Sequence, residues 1–600
     1  MNTMIKKSMI KKKITKNRVI KNRMLRNTLS MTLLSTLVGC GLIAENNSAV
    51  NLQMINSKAA DDFNQFDQRE HSIDKFSEKV GYPLEGLCFY KPQGASEQQV
   101  FLLDESSMAH QMIIQQQSND FSLLEIRQFP LPPNAEYCVV DNESQQLFIN
   151  EESVGVWAYP ARAESEVSRS VVDLIKPYGN LIESSGPLAL VDRQLFVAEK
   201  DSHFIHQYEI QGSATKQGGV SLQKSYQLAA DVKLDGLNVN READHFILNY
   251  LDDAAEKAFQ AKVLANSTDL LMKQKKQALP IINIAADAET QPVKDRGDAA
   301  DDPAIWVHPQ SAEKSLVIGT NKKRGLLVYN LEGQLLQQLD AGRVNNVDVR
   351  QGFTHKGQPA DIAAASQRDN RSIALFNISP VDGKVSAVNE IITGLDEVYG
   401  LCMYRGLESK VYVFINDQDG RYEQYEISDS AAGWSGKRVR EFRVGSQPEG
   451  CAADDNNQRL FVGEENVALW TLGAEPSADT NMDKISGITD YLQVDIEGMD
   501  LFQTETENYL LVSSQGNDSY VLFQAEAPYE YMGRFRIGLN AAIGIDGASE
   551  TDGLAVSSAY LGEKYPQGLV VVQDGRNLLP NDQQNFKLVS WQKIDQEIIQ

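Results

Sequence analysis

Eight carboxylates in the second half of this chain fall in turn-like runs: Asp301, Asp302, Glu449, Glu465, Asp495, Glu497, Asp546 and Asp552. Gathered in one place, such groups repel and raise one another's pKa unless a cation sits among them. The runs that hold them carry neither His nor Cys as a partner. Oxygen donors alone favour a hard ion, and Ca2+, with about six to eight flexible ligands, suits oxygens scattered over loops. The competing reading for acids at turns is a solvated surface. No Ser/His/Asp or Cys/His nucleophile arrangement is present, and the chain has seven His in all.

Acids this far apart in sequence meet only if a fold carries their loops together. After residue 75, short apolar runs alternate with Gly, Asn and Asp turns, the pattern of strands and tight connections. Helical periodicity is confined to residues 252–277, so 256–284 is read as a helix or linker bounded by Pro280. In the second half a strand ending recurs at Tyr329, Phe376, Tyr425, Trp470 and Phe523, spaced by 47, 49, 45 and 53 residues. A strand-only period of about 40–50 residues marks a propeller blade. Residues 285–600 hold six such units, and loops at one end of a propeller converge on its channel. The expected fold is all-β: a six-bladed β-propeller in the C-terminal half, preceded over residues 41–255 by a partial, duplicated propeller-like domain.

The duplication is visible directly. Glu449-Gly450-Cys451 and Glu464-Glu465 are echoed 313 residues earlier by Glu136-Tyr137-Cys138 and Glu151-Glu152. Gly400-Leu401-Cys402 is echoed by Gly86-Leu87-Cys88, and Asp552-Gly553-Leu554 by Asp235-Gly236-Leu237. Nothing in the first half matches residues 298–370, so it reads as a propeller without its first two blades. Glu85 stands in place of Tyr399, and Glu183 and Ser185 in place of Asp495 and Glu497. The first half is therefore expected to have no activity of its own. Cys88, Cys138, Cys402 and Cys451 form no CxxC pair and are expected to be small buried strand residues rather than disulfides or metal ligands.

The segment Asp298-Ala299-Ala300-Asp301-Asp302-Pro303-Ala304-Ile305-Trp306 resembles the opening motif of the β-propeller phytases. Further motifs of that family follow in order: Asn321-Lys322-Lys323-Arg324-Gly325, Asn345-Asn346-Val347-Asp348, Asp361 to Arg368, Asp396 to Gly400, Glu449-Gly450, Glu464-Glu465, Asp495 to Gly498, Ser514 to Asn517 and Asp546 to Gly553. The resemblance spans about residues 285–595. It implies a 3-phytase-type phosphoric monoester hydrolase that uses several Ca2+ ions. Its substrates would be inositol hexakisphosphate and lower inositol phosphates, cleaved by direct attack of a calcium-activated water. Lys322, Lys323, Arg368, Tyr399 and Asn346 take the positions of phosphate binders, and Glu449 that of proton donor or metal ligand, with Asp301 beside it as a catalytic carboxylate. Asp301, Asp302, Glu449, Glu465, Asp495, Glu497, Gln515, Asp546 and Asp552 match metal ligands. Pro303 and Val347 would add backbone carbonyls to Asp302 at a structural calcium. In one departure, Gln418 stands where the family has a phosphate-binding lysine, and Arg421 is the base that could compensate.

Two other classes remain open: a non-catalytic propeller that uses calcium to bind a surface partner, and a lactonase-type propeller with a single calcium. Neither needs a basic phosphate clamp. The formal charge is −25, and residues 1–39 hold ten Lys or Arg and no acid. Removal of that leader gives −35, which argues against nucleic acid and requires cations before a polyphosphate can approach. The leader has a basic stretch, a short apolar stretch (29–38) and Leu37-Val38-Gly39-Cys40, which reads as an export signal ending in a lipobox. Cys40 would be the lipidated first residue of an outer-membrane lipoprotein, or the protein would be periplasmic or extracellular.

Overall fold

In the computed structural model the described residues are 50–51, 64–95, 97–117, 120–200, 202–213, 216–228, 232–252, 257–265, 281–430 and 433–599. Cys40 and the leader lie outside them. No helix among these residues is long and apolar enough to cross a membrane.

Six small sheets make up the second half, and their strand patterns explain how they stack. In the first sheet the strands Leu316–Asn321 and Gly325–Asn330 are almost wholly apolar and buried. The outermost strand, Leu335–Asp340, alternates half-buried and exposed residues instead. Such strands need cover on both faces at the centre and on one side only at the rim. The innermost strands are Ala300–Trp306, Val344–His355, Val398–Arg405, Pro448–Asp454, Ile496–Gln503 and Leu554–Ser557. Each packs beside the next, and the last packs beside the first, closing a ring of six. The chain enters this ring through its end: Ile282–Ala285 runs parallel to Tyr531–Gly538, and Ala288–Glu289 pairs with Asn585–Ser590.

The first half contains four sheets, whose innermost strands are Leu84–Tyr90, Cys138–Asp141, Leu188–Val191 and Leu234–Glu242. These strands also contact one another in sequence. A helix, α1 (Asn64–Val80), caps the first of the four sheets, with Phe76 packed 4.9 Å from Phe121.

Two expectations are corrected here. The segment read as helix or linker begins with a strand, Lys257–Leu264, paired antiparallel with His245–Asp252. Ala261 and Val263 point inward with period two, and the helix-forming Ala, Lys and Gln around them hid that alternation. Residues 266–280 are outside the described residues. The second correction concerns the cysteines, which form disulfides: Cys88–Cys138 and Cys402–Cys451, each with Cα atoms 5.7 Å apart. The sequence separations, 50 and 49, are one blade period. Side-by-side innermost strands bring residues one period apart face to face, so each bridge ties two adjacent blades.

Both halves belong to one compact unit, Ala49–Gln600. Their seam includes Ile113, Ile126 and Ala163 packed with Leu539, Leu578 and Leu579. It also holds an Arg162–Asp518 ion pair at 2.8 Å and a hydrogen bond of 2.9 Å from Arg576 to the Glu164 carbonyl.

Candidate active site

The site residues sit at the ring-facing ends of innermost strands, and glycine brings those ends together. A Cβ on Gly450 would lie 2.0 Å from the Glu497 carbonyl oxygen, and one on Gly400 2.0 Å from that of Glu449. Tyr399-Gly400, Glu449-Gly450 and Glu497-Gly498 are therefore contact pairs: the glycine allows the backbone approach, and the residue before it is a candidate site residue.

Two groups of three carboxylates result, Asp301–Glu449–Asp552 and Glu449–Glu465–Glu497, each with one oxygen per residue within 4.8 Å of the others. All five residues are buried, and Glu449 belongs to both groups. The Lys322 ammonium lies 2.9 Å from Asp301, 3.0 Å from Asp552 and 3.1 Å from Asp298. Asn345 donates to Glu449 Oε1 at 2.7 Å and accepts from Arg368 Nη1 at 3.3 Å. Arg368 also lies over the Tyr399 ring, 5.5 Å from its centre.

Electrostatics follow from burial and crowding. Burial, then the charge of Asp552, raises Asp301 well above the usual carboxylate range. Glu449 is raised by the same two causes, with Lys322 opposing. Glu497 is raised by burial, Glu449 and Asp552, and burial pushes Glu465 up to about 7. Burial acts against the charge on Lys322, but Asp301, Asp552 and Glu449 outweigh it and hold the ammonium above its ordinary value. Burial, Glu449 and Glu497 keep the Tyr399 phenol protonated far beyond its usual range.

The remaining sequence-derived candidates spread more widely. Asp495 is in left-handed backbone at φ 60°, and its backbone carbonyl accepts from the Gln515 N–H at 3.0 Å. Asp302 accepts from the Val347 N–H at 3.0 Å. With Pro303, Asn346, Asp348, Arg350 and Asp500, these two line a smaller cavity of about 140 Å3 in the ring's channel. Lys323 turns to the Arg296 carbonyl. Arg421 is not brought to the carboxylates: Asp396, Asp417 and Asp419 enclose it at 2.7, 3.0 and 3.0 Å. Asp546 is likewise elsewhere, paired at 2.5 Å with the fully buried Lys587. In both cases the strongest local partner is an opposite charge a strand or turn away, which sequence spacing does not reveal.

Residues 254–600 match the family model described as Phytase. The chain belongs to the phytase family. A curated relative, the 3-phytase of Bacillus subtilis (strain 168), is 42% identical over 330 residues, covering 52% of this chain and 85% of its own. Among solved structures, KlHsv2 with loop 6CD replaced by a Gly-Ser linker covers 57% of this chain and 94% of its own at TM-score 0.25 and 10% identity. A functionally unknown protein from Desulfotomaculum acetoxidans DSM 771 covers 63% and 91% at TM-score 0.26 and 9% identity. Overlaps this slight carry nothing further.

The phytase site opens into a cavity of about 1260 Å3 lined by Lys322, Tyr399, Glu449, Glu497, Gln515 and Asp552. Its other wall comes from the first half, residues 144–170, including Gln145, Arg162 and Arg169. The sequence gives no sign of this wall, because those residues match none of the phytase motifs. Asn345 was also missed. It adjoins the motif residue Asn346, but the pairing register slips between Val344 and Val347, so alternation does not tell which Asn faces the acids. The first half has a counterpart of the phytase carboxylates, again with a lysine among them. The Lys200 ammonium sits 2.9 Å from Glu136 and 3.5 Å from Glu152, and Asp235 acts on it as well.

Proposed function

We infer that this chain is a phytase, a phosphoric monoester hydrolase releasing orthophosphate from inositol hexakisphosphate and lower inositol phosphates, with calcium as its cofactor. The observation that carries the calcium reading is the pair of buried carboxylate groups sharing Glu449. Five buried oxygen-donor residues without His or Cys fit a hard cation. Asp301, Glu449, Glu465, Glu497 and Asp552 would hold it, and calcium supplies positive charge to phosphate oxygens when bound.

The chain's own residues supply the rest. Lys322 and Arg368 offer an ammonium and a guanidinium to the phosphate, and Tyr399 offers a phenol that stays protonated. Attack by water forms a phosphorus–oxygen bond as the bond to the inositol oxygen breaks. Glu449, held above the usual carboxylate range, gives its proton to the leaving oxygen and is restored by the one the water loses, with Asp301 beside it in the same carboxylate group. Asp302, Pro303 and Val347 form a separate structural calcium position in this reading, and Asp495 and Gln515 complete the active-site ligands. The first half is non-catalytic, and Cys40 anchors an exported protein through a lipid, a proposal supported by the leader sequence alone.

The test is phosphate release from inositol hexakisphosphate near neutral pH, with calcium or with chelator. Calcium-dependent release that Glu449→Ala abolishes is expected. Release unaffected by chelator overturns the calcium reading. No release in either condition overturns the phytase reading in favour of a non-catalytic binding propeller.

A further inference from the structure

Inositol hexakisphosphate presents one phosphate to the reacting centre and five to whatever surrounds it. Around the cavity those surroundings are mostly acidic or already engaged. Arg162 is paired with Asp518, Arg576 with Glu550, and Arg536 donates twice to the Asn517 carbonyl. Arg169, on the first-half wall of the same cavity, differs from these three. It is exposed and has no ion-pair partner among the described residues. Its guanidinium stacks on Trp157 at 4.2 Å, near the Tyr159 phenol. The fork is thus held in place before any ligand arrives, which lowers the ordering cost of binding. Beside it, the side-chain oxygens of Gln145 and Gln146 are buried without a hydrogen-bond partner among the described residues, and both residues line the cavity. A buried acceptor left unpaired points to a donor from a ligand, which a hydroxyl of a lower inositol phosphate offers and the fully esterified hexakisphosphate does not.

We propose that Arg169 is a specificity-determining residue of the phytase site, gripping a phosphate of the substrate other than the one removed, so that the first half selects polyphosphorylated cyclitols. This rests on the phytase reading above. The grip needs a ligand large enough to span the cavity. A small monoester bound at Lys322 and Arg368 does not reach across.

The test uses the full chain with calcium present. Titration with myo-inositol hexakissulfate, which phosphatase chemistry does not cleave, is expected to show about tenfold weaker binding in Arg169→Ala, the scale of one lost charge-assisted contact. Arg169→Lys should recover part of it. In turnover, KM for inositol hexakisphosphate should rise by a similar factor with kcat little changed, and the ratio of kcat/KM over p-nitrophenyl phosphate should fall. Unchanged binding of the hexakissulfate overturns the proposal, as does an equal loss on both substrates. A wild-type protein that hydrolyses neither substrate removes the phytase reading, while the titration still decides the role of Arg169.

Discussion

Asn345 joins the two sides of the phytase chemistry, since one amide touches both Glu449 and Arg368. Groups that orient a charged ligand or base in this way commonly change activity about 10–100-fold when removed. Asn345→Ala is expected to lower kcat on inositol hexakisphosphate within that range and to leave the melting temperature nearly unchanged. Steady-state kinetics beside a thermal melt check both. At this scale the sequence located the acids well. Asp301, Glu449, Glu465, Glu497 and Asp552 stand together as their motifs implied. Residue type and spacing do not report an ion pair formed within a blade a strand or turn away, so Arg421 and Asp546 read as site residues although opposite charges hold them elsewhere.

Between neighbouring blades, the disulfides do for the chain what glycine does for the backbone: they fix how closely two innermost strands lie. Each closes a loop of about one blade, 50 and 49 residues. Loop-closure entropy puts the stabilisation at about 4 kcal/mol per bridge. Replacing Cys402 and Cys451 together by Ser should therefore lower the unfolding free energy of the phytase half by about that much, measured by denaturant titration. The repeat of Cys at equivalent places in the two halves was plain in the sequence. The bond was not, because the partner of Cys402 is the residue one period on and not its duplicate Cys88. The strand Lys257–Leu264 was lost for a related reason, as two inward residues are too few to outweigh helix-forming neighbours.

For the molecule as a whole, the same buried acids that invite a cation work against the fold without one. Burial and Asp348 push Asp500, in the ring's channel, up to about 7. Its unfolded value is about 3.9. The folded state therefore holds this proton more tightly. Its contribution to stability is complete below about pH 4 and is lost as the pH rises through about 7. In chelator, the melting temperature should fall between about pH 4 and pH 7, and Asp500→Asn should flatten that fall. The first half, expressed alone, should be poorly soluble, because Ile113, Ile126 and Ala163 would lose the apolar partners that cover them. Sedimentation of the isolated fragment checks this, and a soluble monomer would count against it. Lys200 and Lys322 each place a cation among the carboxylates of one half. A side-chain ammonium among Glu136, Glu152 and Asp235 is a counter-ion tethered by covalent bonds, so dilution and chelation do not carry it away. Lys322 does the same beside Asp301 and Asp552, and leaves most of the charge of the five-acid group for a dissolved cation to balance. The wall bearing Arg169 therefore rests on a half that keeps its one fixed counter-ion whether or not a dissolved cation is bound.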